Sequence, residues 1–404
     1  MIAKIEYSPD GKRILAGDYP GGIIALWDVA SGKRLTTIEA GYGYHATMNY
    51  YAVSPDWRTV FAWREKRKAE RVEQDGKRMI RWTFGGEVRA WNLDDGKLLR
   101  TYKRQPQNLI RFMKLAPDGK TIYTADELPG IYERQAKQVA SLWNVKDGTY
   151  RTLEGVDSYG GEFSPDGKSV VFPSSDENGH TKALKMIDIA TGREKWSLSI
   201  QEKNARASVA RFSPDGRLFY GTVRVFEDPK KRDKSTTQLK WWDAATGREM
   251  GSKTCEPNEP TGFGVLSPDK QKAVAINWQG DTRKVSLFDL AGKRLLWTTV
   301  VCEKTKGYRP IAWSPAFSPD GKWLAVITRM VPENAGEDLD ARDVPQPRIL
   351  LLEAETGAIR ETIIAPQAFA DAACFSPDGR TLATGGDGRI HLWDMSKMPA
   401  LTRR

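Results

Sequence analysis

The dipeptide Pro-Asp returns eight times along this chain, at Pro9, Pro55, Pro117, Pro165, Pro214, Pro268, Pro319 and Pro377. Ser precedes it everywhere except at Ala116, and Gly with a basic residue usually follows. Successive prolines stand 46 to 62 residues apart. A phrase that returns at such a period marks a stack of like units, each unable to bury its apolar faces alone.

The last unit shows how one repeat is built. Ala372–Phe375 is a short apolar run, and Ser376-Pro377-Asp378-Gly379 has the residues of a type I turn: Ser first, Pro second, Gly fourth. Thr381–Thr384 follows, then the Gly-rich turn 385–388. Arg389–Asp394 alternates polar and apolar, as in a strand with one buried face. Other units add a fourth strand beyond a second turn. Trp27–Lys33 leads into Arg34–Ile38, and Ile187–Arg193 leads into Glu194–Leu198. The glycine of that second turn, from Gly32 to Gly357, supplies the positive φ a tight hairpin needs. The four strands are called a, b, c and d. The expected fold is all-β: a β-propeller of four-stranded antiparallel blades, eight in number, with seven as the alternative, forming one domain over residues 1–404. The extra Ser314-Pro315 in strand a of blade 7 marks that blade as the one to break the count.

Trp27-Asp28, Trp242-Asp243 and Trp393-Asp394 close their units with one dipeptide, and Trp91-Asn92 and Trp143-Asn144 nearly match it. On these residues the chain resembles the WD-repeat family along essentially its whole length. The Ser-Pro-Asp-Gly-Lys phrasing resembles the bacterial members. The resemblance implies a propeller that binds proteins. The family's Gly-His dipeptide before strand a is absent, so its buried Asp-His-Ser/Thr-Trp network is not expected. A weaker resemblance, to eight-bladed quinoprotein dehydrogenase propellers, rests on Asp188–Trp196 and Leu290–Trp297. In that family a Trp four or five residues after the glycine docks neighbouring blades. The paired Cys typical of that cofactor site is missing.

No apolar stretch is long enough to span a membrane. The N-terminus reads as strand a rather than a signal peptide, so a cytoplasmic, monomeric ring is expected. Cys255, Cys302 and Cys374 are scattered and read as free thiols. Net charge is +10, but the basic residues recur at the turns, so nucleic acid is not the expected partner. His45, His180 and His391 fall in different units with no nucleophile motif beside them. No catalytic residue, metal site or cofactor is assigned.

The connection between strands b and c is where the repeat departs from itself. It is short in blades 1 and 8 but spans 64–86 in blade 2, 126–138 in blade 3, 224–238 in blade 5 and 329–348 in blade 7. Long loops on a rigid scaffold are where binding concentrates. Arg64, Lys66, Arg67 and Lys68 crowd blade 2, and Lys230, Lys231 and Arg232 crowd blade 5, while blade 7 is acidic from Glu333 to Asp343. Aromatic residues join them at Trp82, Tyr132, Trp278, Tyr308 and Trp313. The expected function is a non-enzymatic platform that holds a protein or peptide on this loop-rich face, with affinity from aromatics and orientation from rim charge. The alternative is a propeller enzyme with its site at the channel mouth. Blade 8 is also expected to have a very short or missing strand d, centred on Leu401, and the seam between blades 8 and 1 to be the weakest.

Overall fold

The computed structural model describes residues 2–18, 22–41, 51–74, 77–103, 109–127, 138–154, 160–176, 180–202, 204–228, 231–255, 263–277, 280–290, 294–333, 345–366 and 370–398. The chain forms an eight-bladed β-propeller. Seven sheets have four antiparallel strands in sequence order, and the eighth has three among the described residues. The blades span 2–39, 51–102, 109–154, 162–199, 205–255, 263–303, 308–364 and 372–394. All eight phrases open blades. The extra Ser-Pro of blade 7 is absorbed as a bulge in its strand a, Tyr308–Phe317, where the register shifts between Trp313 and Ala316.

By contact the chain divides into two compact units. One contains residues 36–253, with blades 2 to 5. The other contains 1–19, 24–35 and 254–404, with most of blade 1 and blades 6 to 8. Within each unit strand b is buried on both faces, as in Ser169–Ser175 of blade 4, because neighbouring blades cover it from either side. Strand d is the outer edge and leaves Leu35, Leu98 and Ile364 exposed.

The repeated phrase is a locked turn. In blade 1 the Gly11 N–H closes it onto the Ser8 carbonyl at 2.8 Å. The Ser8 hydroxyl donates to Asp10 Oδ1 at 2.6 Å and accepts from the Arg13 N–H at 2.9 Å. Asp10 Oδ1 also takes the Lys12 N–H at 3.1 Å. The hydroxyl first, then the backbone N–H, holds the Asp10 carboxyl below the usual carboxylate range. Asp56, Asp166, Asp215, Asp269 and Asp378 are held down by the same serine bond. Gly11 has φ +70, and its bare Cα faces the Pro377 ring of blade 8 at 3.4 Å from a built Cβ. Gly119 faces Pro55, Gly216 faces Pro165, Gly321 faces Pro268 and Gly379 faces Pro319 in the same way. In these five blades the turn rests on the one before it, which gives the phrase a packing role as well as a local one. Trp57 and Lys270 take the glycine's place at φ 56 and 58, a left-handed conformation that costs a side-chain-bearing residue about 1–2 kcal/mol.

The second turn explains why the Asp of Trp-Asp can be replaced by Asn. Asp28 Oδ1 accepts from the N–H and hydroxyl of Ser31 at 2.8 and 2.6 Å. Asn92 and Asn144 accept from the Asp94 and Lys146 N–H groups instead. The residue after this position then ties the second turn to the first, as Val29 N–H does to the Lys12 carbonyl at 2.9 Å. That bond is present in all eight blades.

One expectation needs correction. The Trp–Thr half of the family's network survives without its histidine. Trp143 and Trp393 Nε1 each donate at 3.0 Å to the strand b hydroxyls of Thr124 and Thr384. In blade 1 the matching position is Ala16, and Trp27 Nε1 is buried without a hydrogen-bond partner.

Blade 8 ends in strands a, b and c, followed by a 3-10 turn at Met395–Lys397 that buries Met395. Leu401 lies outside the described residues. Where blade 8 meets blade 1, Ile2, Ile5, Ile14, Ala16, Ala372 and Ala383 form one buried cluster. Gly385 admits Ile2 so closely that a Cβ there would lie 2.5 Å from its Cγ2.

Candidate interaction surface

The seams between blades are bridged near the second turns. One strand d position performs the same task across five of them. Thr36 Oγ1, Arg100 Nη1, Arg151 Nη1, Trp196 Nε1 and Trp297 Nε1 each donate to a carbonyl in the next blade's second turn. The acceptors are Asp94, Asp147, Ala190, Ala244 and Ala354. Each donor also covers that turn's glycine, from Gly96 to Gly357. The two tryptophans dock as the quinoprotein-like motif implies. Thr36, Arg100 and Arg151 do the same work with residue types that no indole motif would find, at offsets of three or four residues from the preceding turn glycine.

On this frame the long connections of blades 2 and 5 are β-ribbons, not loops. Strands b and c of blade 2, Thr59–Gln74 and Lys77–Asn92, stay paired to Gln74 opposite Lys77. Strand a reaches only Ala62 and strand d only Val88, so from Arg64 outward two strands stand alone. Eleven residues per strand at about 3.3 Å each give a projection of roughly 35 Å. At its root Gly85 and Gly86 are buried, and buried Glu87 accepts from Arg89 Nε at 2.7 Å. Trp63, at the same root, is 1% exposed and belongs to the core. In blade 5 the pairing of Leu218–Asp228 with Lys231–Asp243 runs to Asp228 opposite Lys231. Arg206 and Arg224 lie 6.0 and 5.0 Å from the ring centre of buried Phe226, and Arg224 Nε donates to Ser235 Oγ at 2.7 Å. These residues anchor the second ribbon.

Lys66, Arg67, Lys68 and Trp82 lie in the blade 2 ribbon and Lys231 and Arg232 in the blade 5 ribbon, with side chains outside the described residues. Arg64 is exposed at the ribbon root, with Nε 3.3 Å from the place of a Cβ on Gly41. Tyr132, Lys230 and Trp278 lie outside the described residues. Tyr308 and Trp313, expected in a connection, stand within strand a of blade 7. The backbone therefore groups the predicted cations of blade 2 on one ribbon and Lys231 and Arg232 of blade 5 on another.

Sequence reading missed a buried polar group between blades 7 and 8. Arg329 lies 4.5 Å over the Trp313 ring, and its Nη1 is 3.6 Å from Asp371 Oδ1, too far for a hydrogen bond. The Asp371 side chain is 6% exposed, neither oxygen accepts a hydrogen bond, and burial outweighs the arginine to push its pKa up to about 6. Trp313 Nε1 donates to the Ala370 carbonyl at 3.3 Å, and Ser314, strained at φ 48, donates to the Asp371 carbonyl at 2.8 Å. The only signal in the sequence is its apolar setting, Ala370 before it and Ala372–Phe375 after it, in place of the turn phrase of the other aspartates.

The inner strands of blades 3, 4 and 5 carry a paired charge row. Glu162 is salt-bridged to Lys114, and Arg211 Nη1 lies 3.3 Å from the same carboxylate oxygen. Among the described residues no three His, Cys, Asp or Glu side chains are grouped to hold a metal ion. Cys255, Cys302 and Cys374 are free thiols, and burial pushes Cys302 and Cys374 above the usual thiol range. No described helix is long and apolar enough to cross a membrane.

Residues 368–394 match the WD domain, G-beta repeat. No curated protein sequence matches the chain. Among solved structures it is similar to the C-terminal WD40 domain of Sif2, at 15% identity and TM-score 0.59, over 96% of this chain and 95% of that one. It is also similar to the Cps50 (Swd1) β-propeller domain of Myceliophteria thermophila, at 12% identity and TM-score 0.50, over 98% and 97%. A third is dihydro-heme d1 dehydrogenase NirN, at 14% identity and TM-score 0.57, over 90% of this chain and 66% of that one. At these identities the likeness is one of fold.

Proposed function

We propose that this chain is a non-enzymatic platform, one propeller domain over residues 1–404, whose protein or peptide partner docks on the strand b–c end. The observation that carries the reading is the blade 2 ribbon, which continues for eleven residues per strand beyond the sheet that supports it. Packing within the blade gives no reason for that length. The ribbon carries Arg64, Lys66, Arg67, Lys68 and Trp82, a composition that steers an acidic partner and offers an aromatic anchor. The WD repeat at 368–394 supports the reading, since that family's propellers commonly hold proteins. We place the chain in a reducing cytoplasm as a monomer, a setting its free thiols suit.

The test is affinity capture with the intact chain and with a version in which 66–84 is replaced by a two-residue turn. A partner held by the first and lost by the second, with equal melting temperatures, supports the reading. Equal capture by both removes it.

A second reading, an enzyme, draws on Asp371, a buried carboxyl near pH 6 beside Arg329 and Trp313. It predicts that Asp371→Asn abolishes a turnover while partner capture is unaffected. A quinoprotein-type cofactor does not fit, because Cys255, Cys302 and Cys374 stand on blades 5, 6 and 8 and offer no adjacent pair.

A further inference from the structure

Blade 8 has three strands among the described residues, so its strand c, Arg389–Asp394, is the outer edge where every other blade has a strand d. Two observations show that this edge is built to be covered. At the strand c position of Leu392 the other seven blades, from Leu26 to Leu351, are at most 8% exposed, whereas Leu392 is 44% exposed. The second-turn glycines Gly96, Gly148, Gly192, Gly247 and Gly357 each lie under a strand d residue of the preceding blade. Gly32, which a strand d of blade 8 would cover, has nothing within 4 Å of a Cβ built on it.

The two sides of this site repeat those around one strand already in the ring. In blade 1 the turn 28–33 reads Asp-Val-Ala-Ser-Gly-Lys, and in blade 4 the turn 188–193 reads Asp-Ile-Ala-Thr-Gly-Arg, alike in kind at every position. Asp28 takes the N–H and hydroxyl of Ser31 as Asp188 takes those of Thr191. Strand c of blade 8 likewise repeats that of blade 3, since Trp393 donates to Thr384 as Trp143 does to Thr124. Between strand c of blade 3 and the turn of blade 4 runs Tyr150–Glu154. It sets Arg151 opposite Leu142 and over Gly192, buries Leu153 and pairs Glu154 with Val139. The same register on blade 8 sets the arginine opposite Leu392, beside Gly32 and the Ala30 carbonyl. It sets the leucine opposite Ile390 and the glutamate opposite Arg389, which is exposed.

We propose that the outer edge of blade 8 receives a β-strand from a partner protein, carrying an arginine, a leucine two residues on and a carboxylate next. Strand addition supplies backbone hydrogen bonds to any sequence, and the side chains make the choice. Here the choice lies in a donor for the Ala30 carbonyl, an apolar residue against Ile390 and a charge opposite to that of Arg389. Residues 399–404 of the chain itself, Pro-Ala-Leu-Thr-Arg-Arg, fit less well. They pair no donor with an apolar residue two places on and bring no carboxylate to Arg389. The edge is separate from the ribbons, so this proposal and the ribbon reading stand or fall apart.

Fluorescence anisotropy on the full chain tests this with labelled Thr-Tyr-Arg-Thr-Leu-Glu, the sequence of residues 149–154. It should bind at least about tenfold more tightly than Thr-Tyr-Ala-Thr-Leu-Glu or Thr-Tyr-Arg-Thr-Asp-Glu. Arg389→Glu should weaken it about fivefold with no change in melting temperature, and a peptide ending in Lys should recover the loss. Blade 3 has Val139 at that position, so the charge swap assigns binding to blade 8. The Met395 N–H bonds the Arg380 carbonyl inside the blade, so by alternation the Leu392 N–H faces the open edge. Leu392→Pro should therefore abolish binding. The proposal is overturned if the three peptides bind alike, if none binds, or if either substitution leaves binding intact. Removal of 399–404 should change neither binding nor melting temperature. Tighter peptide binding with a lower melting temperature would assign the edge to the chain's own tail and overturn the proposal as well.

Discussion

Strands b and c of blade 8 are joined by Asp387 and Gly388 alone, whereas those of blade 2 run on to Gln74 and Lys77 before they turn. At the other end the same two blades are nearly identical. Ser376 and Asp378 bind each other and the following backbone as Ser54 and Asp56 do. The contrast follows from what each end must do. At the turn end, five of the turns rest on a neighbour's proline, so a change there is felt by two blades. A ribbon beyond Arg64 pairs only with itself and can vary at little cost to the fold.

The largest expected effect lies at the seams. Trp196→Ala removes the Phe219 stack, the cover on Gly247 and the bond to Ala244, and should cost about 3 kcal/mol in denaturant unfolding. A loss below about 1 kcal/mol would mean that the seams are held elsewhere. Next is the strained turn of blade 2. Trp57→Gly should stabilise by about 1 kcal/mol, because the left-handed φ of 56 is free for glycine. The same change at an exposed ribbon position should not stabilise.

Smaller again is the turn that lacks its serine. Ala116→Ser restores the hydroxyl that bridges carboxylate and backbone in the other turns and should add about 0.5–1.5 kcal/mol. Its readout is the urea midpoint. Smallest is the ribbon itself: shortening 66–84 should leave the melting temperature within about 2 °C, since neither strand a nor strand d reaches it. A large loss would show that the two ends are not independent.

Acidity sharpens the same contrast. The turn aspartates have depressed folded pKa values, so their stabilisation is present above the unfolded value near 4 and is lost as pH falls below that value and through the folded ones. Asp371 has the opposite sign. Its folded pKa of about 6 lies above the unfolded value, so stability rises as pH falls from 7 towards 4. A melting-temperature profile with its maximum between about pH 4 and 6, flattened on its alkaline side in Asp371→Asn, is the expected result.

Much of the fold was legible in the chain because the turns are local. Ser8, Pro9, Asp10 and Gly11 bond within six residues, and a chemistry that closes over six residues must be written in them. Blade count and strand order followed from its period. The seam donors were legible only where they are tryptophan. Thr36 and Arg100 reach carbonyls 58 and 47 residues away, and nothing local distinguishes them from exposed strand residues. The blade 2 ribbon is not legible as strands because 12 of the 18 residues in Arg64–Arg81 are charged, and such a run leaves no polar–apolar alternation to detect. Asp371 shows the limit most plainly. Its neighbours, Ala370 and Ala372, lack the Ser-Pro and Gly of a turn aspartate but do not foretell burial against Arg329 and Trp313 of blade 7, which moves its titration. The sequence by itself determined the repeating unit, since that unit is held by bonds between near neighbours. Tertiary structure alone decided which residues meet across blades, because burial and long-range pairing belong to the assembled fold.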